Sequence, residues 1–134
     1  MANTEHTLYE VKDGAAWITL NKPENRNALS GGLVTELYDH LVAANKDDKA
    51  RCAVITGNGP AFCAGANLKG GGAPAGRTMS LVDVLNEMMD GKKPVIAAIN
   101  GFAFAGGLGI VAAADIVVTA EDAKFSFRDR KSVV

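Results

Sequence analysis

"KKPVIAAINGFAFAGGLGIVAAADIVVTA", Lys92 to Ala120, says more about the fold than any other part of the chain. Its apolar runs and glycines predict a buried strand (Val95 to Ile99), a Gly-rich turn (Gly101 to Gly107), a short apolar helix (Leu108 to Ala114) and a second strand (Ile116 to Thr119). A helix that starts at glycines leaves backbone N–H groups unpaired at the positive end of its dipole. Gly106 and Gly107 are therefore expected to offer donors to an oxygen that gains negative charge. The helix has no polar face, so it is expected to be buried. The competing reading of these glycines, together with Gly109, is tight helix–strand packing alone.

The strands and turns on either side extend the pattern. "YEVKDGAAWITL", Tyr9 to Leu20, predicts two strands around Asp13-Gly14, a pair suited to a tight hairpin turn. Residues 1–8 are mostly polar and are expected to form a disordered tail. After a polar loop, Ser30 stands where it would cap a helix from about Gly32 to Asn45, with Leu33, Leu37 and Leu41 on one face. "RCAVITG", Arg51 to Gly57, predicts another strand, and strand–helix–strand order points to an α/β architecture. From Gly57 to Gly76 runs a long Gly-rich loop, held at Phe62, Cys63 and Ala64 and expected to move from Gly70 onward. Ser80 is then expected to cap a helix from Leu81 to Met89. On it Asp83 and Glu87 read as a solvated like-charge face rather than as paired acid/base carboxylates.

Composition narrows the classes of partner. A chain of 134 residues with 48% hydrophobic content is sized for one domain, and 14 basic against 15 acidic residues leave no basic stripe for nucleic acid or an anionic membrane. Cys52 and Cys63 lack the spacing of a zinc site or a disulfide framework, so no metal is expected and reduced, cytoplasmic thiols are. There is no secretory-type start and no long uninterrupted apolar segment, which predicts neither secretion nor membrane spanning.

Four strings together carry a family resemblance: "WITLNKPENRNALS", "AVITGNGPAFCAGANLK", "KPVIAAINGFAFAGGLGIVAAADIVV" and "AKFSF", which span nearly all of Val11 to Arg128 in this order. The chain resembles the N-terminal half of the crotonase superfamily, the enoyl-CoA hydratase/isomerase family. The resemblance implies a spiral of β-β-α units truncated after roughly its first half, here residues 9–128, and homotrimers or hexamers when full length. It implies an acyl-CoA or enoyl-CoA thioester as substrate, with coenzyme A entering as part of that substrate and no separate cofactor. It also implies that the backbone amides of Ala66 and Gly106 hold the thioester oxygen, and that Arg26, Ala28, Ala64, Asn67, Leu68 and Gly107 line the substrate path. Two well-placed donors stabilise an enolate-type oxyanion, each by about 3 kcal/mol.

The resemblance implies a reaction only loosely. Hydratases of this family typically use two glutamates, and Gly109 stands at the place of the first, which leaves an isomerase, a thioester hydrolase or a non-catalytic CoA-thioester-binding assembly subunit as alternatives. The second would fall at Asp129. That residue opens "DRKSVV", which is what GAT CGG AAG AGC GTC GTG, a widely used sequencing-adapter end, encodes, so residues 129–134 are expected to be a non-native tail. Two other classes fit less well. A dinucleotide fingerprint over Gly107, Gly109 and Ala112 begins too far after the strand end at Ile99. A Ser-His hydrolase has only His6 and His40 to draw on.

Overall fold

The computed structural model describes residues 2–65 and 77–127. Strands β2 (Thr7–Lys12) and β3 (Ala15–Leu20) form the expected hairpin. Asp13 and Gly14 at its tip both take positive φ, 54° and 82°, the combination that matches the twist of a two-residue hairpin. Helix α1 (Gly31–Lys46) begins where Ser30 Oγ accepts from Leu33 N at 3.2 Å. Its Leu33, Leu37 and Leu41 pack with Ala16, Ile18, Leu20, Ile55 and Ala97 of the sheet in one buried core.

Beyond α1 the chain repeats a single move. Strand β4 (Cys52–Gly57) joins the large sheet, β5 (Ala61–Cys63) a small one, and α2 (Leu81–Asp90) follows. Strands β6 (Val95–Ile99) and β7 (Phe102–Phe104) with α3 (Gly106–Ala113) do the same, and β8 (Ile116–Thr119) and β9 (Phe125–Ser126) begin a third turn. With β1 (Ala2–Asn3), the large sheet is ordered β1-β2-β3-β4-β6-β8 and the small one β5-β7-β9. The pairings from β3 onward are parallel in the large sheet, as are both in the small one. Each turn adds one strand to each sheet, which makes the architecture a spiral of β-β-α units.

Five expectations need correction. Residues 2–8 are not a disordered tail: β1 pairs with β2, and His6 and Thr7 are buried. The cause is a carboxylate on α1. Glu36 accepts from the Thr4 hydroxyl, from His6 N at 3.0 Å and from Thr7 Oγ1 at 2.8 Å, and its other oxygen meets His6 Nδ1 at 2.7 Å. The turn expected over Gly101 to Gly107 contains strand β7, and the loop after Gly57 contains β5; three-residue runs between glycines are too short to show a period. Helix α3 starts at Gly106, two residues early, so that both glycines lie in its first turn. Nor is α3 buried throughout, because only Gly107 and Ile110 are. Asp83, as expected, is not half of an acid pair: it closes a capping box with Ser80, while Glu87 accepts from Asn45 Nδ2 at 2.8 Å. The expected motion of residues 70–76 lies outside the described residues.

The open side of the spiral is apolar. Ile116, Val117 and Val118 of β8 are 53%, 43% and 60% exposed, and Phe127 beyond them is 84% exposed. Among the described residues β8 pairs only with β6, so its other edge is unpaired and carries no lysine, proline or bulge. The 134-residue chain is expected to self-associate through this edge, and Val118→Lys to reduce that association. Sedimentation velocity on both proteins checks it, and a monomeric wild type contradicts it.

Candidate active site

The site is assembled from loops at the carboxyl ends of parallel strands, where open α/β sheets commonly place ligands. After β3, Arg26 and Asn27 both take left-handed φ, 58° and 57°, and bend the chain so that residues 26–29 run beside residues 64–65. Two backbone bonds join the segments: Ala64 N donates to Arg26 O at 3.0 Å and Leu29 N to Gly65 O at 2.7 Å. Gly65 has φ +96°, and a side chain there would meet Phe104 O at 3.0 Å and Ala105 Cβ at 3.1 Å, with Gly106 N at 3.7 Å. This glycine lets the second loop lie directly on the start of α3.

That start is strained. Ala105 caps α3 at φ 48°, ψ −115°, a conformation alanine rarely takes, and is held there by Ala105 N donating to Ser126 O at 2.7 Å. Its carbonyl accepts from Leu108 N at 3.0 Å and Gly109 N at 3.3 Å, which satisfies those donors. Among the described residues, the N–H groups of Gly106 and Gly107 donate to no protein acceptor, as the first turn of a helix requires unless a cap or ligand intervenes. Both positions are crowded, at Gly106 by side-chain tips and at Gly107 by backbone. At Gly106 a Cβ would sit 2.8 Å from Leu29 Cδ1 and 3.2 Å from Leu81 Cδ2, and at Gly107 it would sit 2.5 Å from Cys63 O.

Gly109 differs. Its Cβ would meet only Leu85 Cδ1, at 3.9 Å, which is ordinary contact. Glycine inside a helix is less stable than alanine by about 0.5–1 kcal/mol, so Gly109→Ala is expected to raise the urea midpoint by about that free energy. A lowered midpoint would mean that α3 is packed more tightly than these distances allow.

Of the residues expected to line the site, Arg26, Ala28, Ala64, Gly106 and Gly107 converge on this edge. Arg26 is exposed, Ala28 and Ala64 are half-buried and Gly107 is buried. Ala66, Asn67, Leu68 and Asp129 lie outside the described residues. Cys63, fully buried beneath Gly107, has its thiol pushed up to about 11 by burial, against a smaller opposing effect of a hydrogen bond from the Gly65 backbone. It is a packing group, not a nucleophile. Among the described residues no cluster of three metal-ligating side chains occurs, and no helix is long and apolar enough to cross a membrane. The reading from sequence missed Gly65, Asn27, Leu29 and Leu81. Only Gly65, between two alanines of "CAGAN", carried a local signal for an unusual backbone.

This edge lies within a stretch with known relatives. The family model for enoyl-CoA hydratase/isomerase matches residues 10–132. The chain belongs to the enoyl-CoA hydratase/isomerase family. A relative named probable enoyl-CoA hydratase echA6, from Mycobacterium tuberculosis, is 42% identical over 114 residues, which cover 85% of this chain and 46% of that protein. The hydroxycinnamoyl-CoA hydratase-lyase of Pseudomonas fluorescens is 34% identical, over 90% of this chain and 47% of its own length. Among solved structures, a crotonase-type enoyl-CoA hydratase/isomerase from Legionella pneumophila superposes with a TM-score of 0.81 at 32% identity, over 92% of this chain and 51% of that one. The chain thus spans about half the length of the family members it matches.

Proposed function

We propose that this chain carries the thioester-activating half of an enoyl-CoA hydratase/isomerase-type active site, binding acyl-CoA or enoyl-CoA substrates. The observation that carries the reading is the Gly106 N–H at the head of α3, free of protein acceptors among the described residues and flanked by the Gly65 backbone. Ala66 follows Gly65 directly, so its amide is the proposed second donor. A thioester oxygen held between two such donors gains stabilisation as it becomes an enolate oxygen, because hydrogen bonds fixed in advance need no reorganisation when charge develops. Arg26, Ala28, Ala64, Asn67, Leu68 and Gly107 would line the route of the CoA moiety. In a full-length protein this site would work in a homotrimer or hexamer.

Gly109 supplies no side chain for proton transfer, which favours a second reading: a CoA-thioester-binding protein without turnover. Acetoacetyl-CoA, a β-ketothioester whose enolate absorbs in the near ultraviolet, tests the shared step. Enolate absorbance rising on binding, at a pH where the free thioester is mostly ketone, supports oxyanion stabilisation, and binding without it counts against the two-amide arrangement. Crotonyl-CoA hydration by the same preparation then separates enzyme from binder.

A further inference from the structure

We propose that Asn27 is a positioning residue that holds the Gly65 turn against the Gly106 N–H. This rests on the two-amide reading above and extends it to the part that fixes the geometry. Asn27 is fully buried, stands at left-handed φ and uses every hydrogen-bonding group of its side chain. Its Oδ1 accepts from Lys22 N at 2.8 Å, closing the bend of its own loop. Its Nδ2 donates to Asn58 O and Ala61 O, both at 3.0 Å, and so seizes the loop that leads through β5 to Gly65.

The Ala61 carbonyl is bonded twice. Asn100, in the turn between β6 and β7, also donates to it at 3.1 Å and to Gly59 O at 2.9 Å, while its Oδ1 accepts from Gly57 N at 3.1 Å. The loops after β3, β4 and β6 are therefore pinned at one carbonyl, four residues ahead of Gly65. From that pin β5 leads to the site, registered on β7 at Ala61↔Phe102 and Cys63↔Ala103 with a bulge between the two pairs. A donor pair works only where its spacing fits one oxygen, and loops tied solely by backbone contacts would let that spacing drift. Asparagine suits the position twice over: it tolerates left-handed φ, and it both donates and accepts.

The test substitutes Asn27→Asp, which keeps size, backbone preference and the Lys22 bond but turns a carboxylate oxygen toward two carbonyls. The readouts are the enolate fraction of bound acetoacetyl-CoA and the affinity for free CoA, which has no thioester oxygen. Leu41→Ala, in the core at the far end of α1, controls for general loss of stability. The expected result is an enolate fraction lowered about tenfold in Asn27→Asp, with CoA affinity unchanged and both readouts kept in Leu41→Ala. Should Asn27→Asp not fold, Asn100→Asp, half-buried on the same carbonyl, carries the test in the same direction. An undiminished enolate fraction in whichever variant folds, or an equal loss in Leu41→Ala, overturns the assignment and leaves the functional reading intact. If the wild type itself raises no enolate, the functional reading fails and the assignment fails with it.

Discussion

Gly107→Ala is expected to destabilise the chain by about 3 kcal/mol and to disable the site. The new Cβ would lie 2.5 Å from Cys63 O and 2.8 Å from Cys63 Cβ, and the obstacle is strand backbone, which cannot swing aside as a side-chain tip can. Either α3 or β5 must shift. Because β5 leads directly into Gly65, a shift of either one separates Gly65 from the Gly106 N–H, and misplacement by about 1 Å costs on the order of a hundredfold in rate. Paired urea melts of Gly107→Ala and Gly109→Ala test this most sharply, since the same methyl two residues apart is expected to act in opposite directions. A Gly107→Ala protein as stable as wild type would mean that α3 does not seat on β5 as described.

Glu36→Ala is expected to cost a similar amount, about 3 kcal/mol, by leaving the His6 N–H, two threonine hydroxyls and the His6 ring without their charged acceptor. Burial works to raise the Glu36 carboxyl, but hydrogen bonds from Thr4, His6 and Thr7 outweigh it and hold it below its ordinary value of 4.5. Next to it His40, bonded to Thr7 Oγ1 at 2.8 Å and stacked on Tyr9, is held below 6.5 by burial, against the attraction of Glu36 and Asp39 for its proton. Both groups are lowered, so each contributes stability that is complete above its ordinary value and is lost as pH falls through its folded value. Wild-type melting is therefore expected to weaken below about pH 6.5 through His40 and again below about pH 4.5 through Glu36. Glu36→Ala should lose the second step and keep the first. A flat profile over this range would contradict the buried network.

How much of this was legible in the sequence depends on how local each signal is. The hairpin at Asp13-Gly14, the Ser30 and Ser80 caps and the apolar faces of α1 and α2 rest on residues within a few positions of one another, and all formed where their residues indicated. The N-terminal segment reads as polar and hence as loose, because the Glu36 carboxylate that orders it lies thirty residues on from His6. Strands β5 and β7 are hidden for a related reason: each has three residues and becomes a strand through pairing with a distant segment, β5 with β7 and β7 also with β9. At the site Gly106 was legible from the glycine turn before an apolar run. The role of Gly65 was not, since its need for positive φ arises from the β7–α3 turn packed over it. Asn27 reads in "NRNALS" as one more polar loop residue, because two of its three side-chain bonds go to a segment more than thirty residues on.

Amide NMR of protein labelled with ¹⁵N-glycine tests directly the proposal that the Gly106 N–H takes a thioester oxygen. Saturation with butyryl-CoA is predicted to move the Gly106 proton downfield, as a newly formed hydrogen bond does, while free CoA, which lacks the carbonyl, leaves it in place. A Gly106 resonance that stays put with bound butyryl-CoA, or that moves equally with free CoA, would mean that this amide does not hold the thioester oxygen.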